Sequence, residues 1–257
     1  MKFVVCIKQV PNTTKVSIDP ETHNLRRDGT YGVINPFDKH AIEAALRLRE
    51  QYGGKVILLS MGPESNLKSL REGIAMGADY GILLSSRSFA GSDTLATAYT
   101  LSQAIKKIGK VDLILFGKQS VDSDTGQVGP ITAEFLNLPQ ITNAVDISAD
   151  EQSIIVDQAS NGHIIKFEVT TPTVISVTEK VNSPRLPTIY SINKSSKAKI
   201  LVWNEEDILA DPNRIGIKGS PTIVRKIIEP KKMAKKTVFL EGSPKEAVTQ
   251  LISLITE

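Results

Sequence analysis

Residues 117–130, GKQSVDSDTGQVGP, join an apolar run at 111–116 to a stretch of helical periodicity. In that order a buried strand ends, Gly117 lets the backbone turn, and a polar loop precedes a helix opening near Asp124, Thr125 and Gly126. The first N–H groups of a helix have no partner within it, and its dipole favours an anion there. Gly126 and Gly129 permit close approach, while Asp122, Asp124, Thr125 and Gln127 carry the polar groups that a ribose and phosphates need. One Gly-bearing loop is weak evidence for a ligand. Three similar junctions upstream, at 8–10, 61–63 and 87–93, shift the balance towards a nucleotide site.

These loops need a scaffold that gathers them. Short β-rich runs at 3–7, 55–60, 80–85 and 112–116 read as buried strands. Helical spacing covers 38–51, 64–75, 93–108 and 127–136. Strands separated by helices predict a parallel sheet with right-handed crossovers, whose ligands bind beyond the carboxyl ends of the strands. After about residue 140 the texture changes. Runs at 153–158 and 163–170 around Ala-Ser-Asn-Gly predict a β-hairpin, and 173–178 another strand. Residues 180–211 show no strong amphipathic helix and read as a Pro- and Lys-bearing arm. A short strand is expected around 222–224 and a helix over 245–255. The expected fold is α/β, a doubly wound, mostly parallel sheet with a β-hairpin and an extended C-terminal arm. The expected division is 1–180 for the nucleotide-binding domain and 181–257 for the arm and last helix.

The bulk numbers narrow the class. A net charge of +3 over 257 residues does not argue for nucleic acid, and the basic residues Arg225, Lys226, Lys231, Lys232, Lys235 and Lys236 have no interleaved aromatics. That run reads as solvated charge or as an attractor for an acidic surface. The single Cys6 excludes an internal disulfide and a thiolate-bound cluster within this chain, and His23, His40 and His163 show no metal-ligand spacing. The first residues are too short a run, and soon too polar, for a signal peptide or membrane span, so a soluble cytoplasmic protein is expected. No nucleophile–base pair stands out.

Taken together, the segments resemble the β subunit of electron-transfer flavoproteins. The resemblance rests on Asn35-Pro-Phe-Asp38 with its helix, on 60–63 (Ser-Met-Gly-Pro) and 75–79 (Ala-Met-Gly-Ala-Asp), and on GKQSVDSDTGQVGP. It runs in the same order over essentially the whole chain. Conventional members of that family hold AMP, whereas another branch holds FAD and supports electron bifurcation. Residues 89–97, FAGSDTLAT, are similar to the GADTLATS signature of the FAD branch.

The resemblance implies FAD (alternatively AMP) as cofactor and NADH as electron donor. It implies an α subunit, ferredoxin and a flavin-dependent dehydrogenase as partners, with no nucleic acid and no membrane insertion. The implied cofactor-binding residues include Met61, Gly62, Ala90, Gly91, Ser92, Asp93, Thr94 and Thr97. From the opening loop come Gly117, Lys118, Gln119, Asp122, Thr125, Gly126, Gln127 and Val128. Cys6 either faces adenine or fills the core. Lys8 either neutralises phosphate or sits in solvent. Asn35 and Asp38 order the loop or touch the ligand, unless Asp38 is only a helix cap. Residues 182–194 resemble the family's recognition loop, with Arg185, Leu186, Ile189 and Tyr190 as partner-binding residues. The family pattern has Leu-Pro where this chain has Ile189-Tyr190. A nucleotide sensor or hydrolase on the same core is the rival reading, but neither a GxxxxGK[ST] loop nor a paired metal-carboxylate site is evident.

Overall fold

A computed structural model describes residues 1–12, 17–18, 25–26, 32–149, 153–225 and 237–256. In chain order its strands and helices are β1 (Lys2–Cys6), β2 (Gln9–Pro11), β3 (Ser17–Ile18), β4 (Leu25–Arg26), β5 (Gly32–Ile34), α1 (Pro36–Tyr52), β6 (Lys55–Met61) and α2 (Leu67–Met76). There follow β7 (Tyr80–Leu84), α3 (Thr94–Ile108), β8 (Leu113–Gly117), α4 (Val128–Leu136), β9 (Gln140–Ala149), β10 (Ile154–Ser160), β11 (His163–Val169) and β12 (Thr173–Val177). The last are α5 (Ile189–Ser196), β13 (Ile200–Trp203) and α6 (Pro244–Thr256). The expected helices and parallel strands are present, shifted by up to three residues at their ends.

Nine strands form one sheet in the order β11-β10-β9-β12-β8-β1-β6-β7-β13. Pairing is parallel from β9 to β13 and antiparallel along the β9-β10-β11 edge. The chain runs outward from β1 through β6 to β7, then returns to place β8 on the other side of β1. The sheet therefore has its switch point between β1 and β8, where a crevice opens beyond the strand ends.

Alternation along the strands divides the core between two faces. Phe3, Val5, Leu58, Leu113 and Leu115 pack with Ala41, Ile42, Leu46 and Leu70 of α1 and α2. Val4, Cys6, Ile57, Leu59, Ile114 and Phe116 pack with Tyr99, Leu101, Ala104 and Ala133 of α3 and α4.

Three stretches correct the sequence reading. The arm at 180–211 contains α5 and β13. Helix α5 starts on a reciprocal cap between Thr188 and Ser191 and packs on α2, so capping and tertiary contact sustain it in place of a strong apolar stripe. Strand β13 joins the sheet by pairing with β7, Ile200 opposite Gly81. Residues 140–149 form β9, although polar residues interrupt its pattern. Around 222–224 no strand forms, since the Thr222 N–H donates to Asp93 Oδ2 at 3.0 Å and not to a ladder.

Compact packing divides the chain into Met1–Arg225 and Lys226–Glu257, beyond the expected division at 180. In the second unit α6 opens where Ser243 donates its N–H (2.8 Å) and hydroxyl (2.7 Å) to Glu246. Lysines 226, 231, 232, 235 and 236, like His23, lie outside the described residues. No helix among the described residues is long and apolar enough to cross a membrane, and none of their His, Cys, Asp and Glu side chains cluster as a metal site.

Candidate nucleotide-binding site

Asp38 ties the two strands at the switch point. It stands in the first turn of α1, buried, and its Oδ2 accepts from the Lys8 N–H at 2.7 Å just past β1. Its Oδ1 accepts from the Gly117 N–H at 3.2 Å, at the end of β8, and from Asn35 Nδ2 at 3.0 Å. Asn35 continues the stitching: Nδ2 donates to the Gln119 carbonyl at 2.8 Å and Oδ1 accepts from the Val121 N–H at 3.2 Å. Burial pushes the Asp38 carboxyl up to about 7 against the opposing pull of these donors. Asp38 and Asn35 thus order the loop, and no side-chain cap is made by the Asn35 N-cap.

Gly117 is demanded by this packing. A Cβ there would lie 2.3 Å from Asp38 Oδ1 and 2.7 Å from the Phe37 Cβ. The first turn of α1 therefore fills the space that the missing side chain leaves. Cys6 is buried on the α3/α4 side, and burial, then the charge of Asp38, raises its thiol well above the ordinary value. A buried thiol of that kind is unreactive.

Lys8 reaches across the crevice to the opening loop. Its Nζ lies 2.6 Å from Asp122 and 3.3 Å from the Ser120 hydroxyl. Burial raises the Asp122 carboxyl, but the Lys8 hydrogen bond and charge outweigh it, and the net shift is downward. The same loop holds a Gln119–Asp124 side-chain bond, and Asp124 (φ 56°) and Gly126 (φ 63°) carry the chain through left-handed turns.

The two helix openings differ. Asp93 caps α3: its Oδ1 accepts from Leu95 and Ala96 N–H at 2.9 and 3.1 Å, and its Oδ2 from the Thr222 hydroxyl at 2.8 Å. At α4 no side chain caps the N-terminus, and Pro130 in the first turn has no N–H, so Val128 and Gly129 supply the unpaired donors. The openings meet where Thr94 Oγ1 donates to Gln127 Oε1 at 3.0 Å. Thr97 follows one turn into α3, its N–H on the Asp93 carbonyl at 3.0 Å. Met61 and Gly62 close β6 beside the end of β7, the Gly62 N–H donating to the Leu84 carbonyl at 3.0 Å. Lys118 follows β8, its N–H on the Val177 carbonyl at 2.8 Å, and Thr125 is exposed in the opening loop.

The model of the electron transfer flavoprotein domain matches residues 22–208. The chain is 43% identical to the electron transfer flavoprotein subunit beta of Thermoanaerobacterium thermosaccharolyticum over 98% of this chain and 96% of that one. It is 46% identical to the subunit of the same name from Megasphaera elsdenii, over 90% and 88% of the two chains. The chain belongs to the electron transfer flavoprotein family. A further relative, 38% identical over 100% of this chain and 98% of its own, is the caffeyl-CoA reductase-Etf complex subunit CarD of Acetobacterium woodii.

Family loops also draw in residues that sequence reasoning passed over. Ser220 accepts the Asp93 N–H at 2.8 Å, and Gly216 donates to the Ser92 hydroxyl at 3.1 Å. At Gly91 (φ 74°) a Cβ would meet Ile217 at 2.4 Å, so this glycine makes room for the same segment. Residues 216–222 are thereby sewn onto the loop before α3. Ala90 is exposed beside them. The only sequence signal was the run Gly219-Ser-Pro-Thr222, whose hydroxyls suit loop bracing as well as solvent.

The expected partner-binding residues lie elsewhere, on the α1 and α2 side. Arg185 is turned inward: Nε lies 2.7 Å from Glu43 Oε2 and Nη1 2.5 Å from Glu50 Oε1. Asn182 and His40 exchange bonds beside it, Asn182 Nδ2 to the His40 carbonyl and His40 Nδ1 with the Asn182 carbonyl, both at 2.9 Å. Past this latch, Leu186 and Ile189 are 89% exposed and Tyr190 79%.

Proposed function

We propose that the chain is the β subunit of an electron-bifurcating electron transfer flavoprotein and that the crevice at the switch point holds FAD. The contact between Thr94 and Gln127 carries this reading, because it brings the start of α3 against the start of α4. A diphosphate then finds the Val128 and Gly129 N–H groups on one side and the Thr94 N–H on the other, where one phosphate needs a single opening. The residues present fit such a group: the α4 donors are uncapped, and Gly126 leaves the approach open, whereas a Cβ at buried Gly129 would face Phe116 in the core.

FAD held there would supply hydride-accepting and one-electron-donating chemistry, which would link NADH to ferredoxin and, through an α-subunit flavin, to a flavin-dependent dehydrogenase. The chain's own residues position it. Asp38 and Asn35 fix the β1 and β8 ends, Lys8 holds Asp122 and the opening loop, and Asp93 with Ser220 and Thr222 holds the loop before α3. Leu186, Ile189 and Tyr190 form an exposed apolar hook for the dehydrogenase, since a few buried anchors dominate interface energy. The name of the CarD relative, which ties it to a reductase complex, supports that partner class.

One observation favours AMP as the alternative. Asp93 already occupies the Leu95 and Ala96 N–H groups, leaving α4 as the uncapped opening of the two. Extracting the nucleotides from the chain purified with its α subunit separates the readings. Two FAD per heterodimer is the expected result; one FAD with one AMP would replace it by the conventional carrier.

A further inference from the structure

Five non-glycine residues among those described have a positive φ. Four are Asp124, Asn137, Asn143 and Asn161, types whose short polar side chains tolerate the left-handed region. The fifth is Leu209, at φ 51°.

The turn around Leu209 accounts for the conformation but not for the residue. After β13 the chain makes one helical turn. Asn204 and Asp207 open it by exchange, each backbone N–H donating to the other's side chain at 2.9 Å. At its end the Leu209 N–H donates to the Glu206 carbonyl at 3.1 Å, and the Ala210 N–H to the Glu205 carbonyl at 2.9 Å. That pair of bonds is the Schellman closure, whose left-handed position is usually glycine. The turn is pinned on both flanks. Ile208 is buried on the α3/α4 side, Lys107 Nζ donates to the Asp207 carbonyl, and the Asp211 N–H donates to the Tyr99 hydroxyl at 3.0 Å.

Leu209 is nevertheless 87% exposed. Glycine would relax the backbone there, and packing within the chain gives little in return for the side chain. A strained, rigidly displayed and solvent-facing leucine points to a use outside the chain. Its flanks indicate what kind. Glu206 and Asp211 are exposed, and neither has an ion-pair partner among the described residues. Asp207 has Lys107 at 3.9 Å. An apolar knob flanked by carboxylates matches an apolar socket rimmed by Arg or Lys.

We propose that the turn at 204–211 is a contact with the α subunit, in which Leu209 fills an apolar socket with a cationic rim. A conformational cost present in every state of the chain suits a contact made in the resting assembly over one made in passing. The exposed hook at Leu186, Ile189 and Tyr190 lies on the α1/α2 side, whereas Ile208 and Ala210 fix this turn to the α3/α4 cluster, so the two projections serve different neighbours. The proposal rests on the α-subunit partnership of the function proposed above and is indifferent to whether FAD or AMP is bound.

The test is the dissociation constant of the chain and its α subunit, measured by dilution of the heterodimer. Leu209→Gly removes the knob and relaxes the backbone, so its two effects have opposite signs. The heterodimer should dissociate about tenfold more readily, while the separated chain melts at, or up to about 2 °C above, the wild-type temperature. Leu209→Met should restore most of the affinity. Wild-type dissociation should rise with salt, and Glu206→Gln combined with Asp211→Asn should flatten that response. Unchanged affinity in Leu209→Gly overturns the proposal, and an unchanged salt response overturns the cationic rim. A Leu209→Gly chain that melts lower than wild type would make Leu209 a folding residue and overturn it as well. An intact Leu209→Gly heterodimer that reduces the dehydrogenase or ferredoxin more slowly, or that loses a larger assembly, assigns the knob to another occupant and rejects the α subunit. A wild-type chain that forms no heterodimer would sink the function proposed above together with this surface.

Discussion

The hydroxyl of Thr94 donates to the side-chain oxygen of Gln127 at 3.0 Å, so helix starts 33 residues apart in the chain touch at the mouth of the crevice. The same helices meet deeper down, where Tyr99 packs edge-on against Phe135. Packing therefore sets the spacing of the openings, and the Thr94 hydroxyl, whose proton goes to Gln127, holds the polar contact at the mouth more than it contributes fold. Thr94→Val preserves the shape and deletes the hydroxyl. Its melting temperature should stay within about 2 °C of wild type, while cofactor affinity falls about fivefold, equivalent to about 1 kcal/mol. Cofactor retained per heterodimer after exhaustive desalting checks this. Asp93→Ala should differ by losing stability as well, about 1–2 kcal/mol, since it removes the α3 cap and frees Thr222.

Arg185 gives the second prediction. The Glu50 hydrogen bond, then that of Glu43, raises the Arg185 guanidinium further above its ordinary value, and Glu43 is buried while Glu50 is exposed. The Glu43 arm of the fork is therefore the stronger one: removing it leaves a buried carboxylate with Arg47 alone, at 2.8 Å. Arg185→Ala should cost about 1–3 kcal/mol and speed amide exchange across 186–192, whereas Glu50→Gln should cost under about 1 kcal/mol. Ile189→Ala should leave exchange untouched and slow reduction of the dehydrogenase. Equal exchange in Arg185→Ala and wild type would mean that the latch does not order the hook.

Much of the scaffold was legible because apolar runs and helical spacing alternate cleanly through the first 136 residues. Later elements escaped for a shared reason. Strand β13 exists through pairing with a strand about 120 positions earlier, and β9 alternates imperfectly, so neither announces itself locally. Helix α5 has its start signal, Thr188 with Ser191, but Ser is a weaker partner than Glu or Gln at that position. The crevice was legible as four polar strand ends. What sequence withheld was the pairing among them: Lys8 with Asp122, Asp38 with Gly117, Asp93 with Thr222. Each is long-range, and residue type alone does not distinguish a charge facing a ligand from one facing the protein.

Asp38 makes stability depend on pH in an uncommon sense. Burial raises its folded carboxyl to about 7, whereas an unfolded aspartate titrates near about 3.9. Between those values the folded chain binds the extra proton, so unfolding free energy falls as pH rises, and the contribution present at low pH is lost by the time pH passes about 7. Asp38→Asn abolishes this titration and loses an acceptor for one of three donors. The stability gap between wild type and Asp38→Asn should be widest in acid and shrink by on the order of 2 kcal/mol between pH 5 and 8. Urea unfolding at both pH values measures it, and a constant gap would show that the carboxyl does not titrate in that window.

Gly117 and Gly126 bracket the opening loop and should fail differently. At Gly117 an added Cβ would meet Asp38 Oδ1 at 2.3 Å and the Asp38 backbone nitrogen at 2.8 Å, both held by the stitching between β1, β8 and α1. Relief requires moving the first turn of α1, which would break the Gly117 N–H bond to Asp38 and disturb its partner at Lys8. At Gly126 the nearest atom, the Lys118 carbonyl, is 3.4 Å away, and the cost is the left-handed backbone at φ 63°. Asn tolerates that conformation better than other residues with side chains. Gly117→Ala should therefore lower stability by about 2 kcal/mol or more, while Gly126→Asn should cost under about 1 kcal/mol. Thermal melts of the two variants rank the effects. A Gly117→Ala protein as stable as Gly126→Asn would show that α1 is not wedged against the end of β8, and that the room at residue 117 serves some other neighbour.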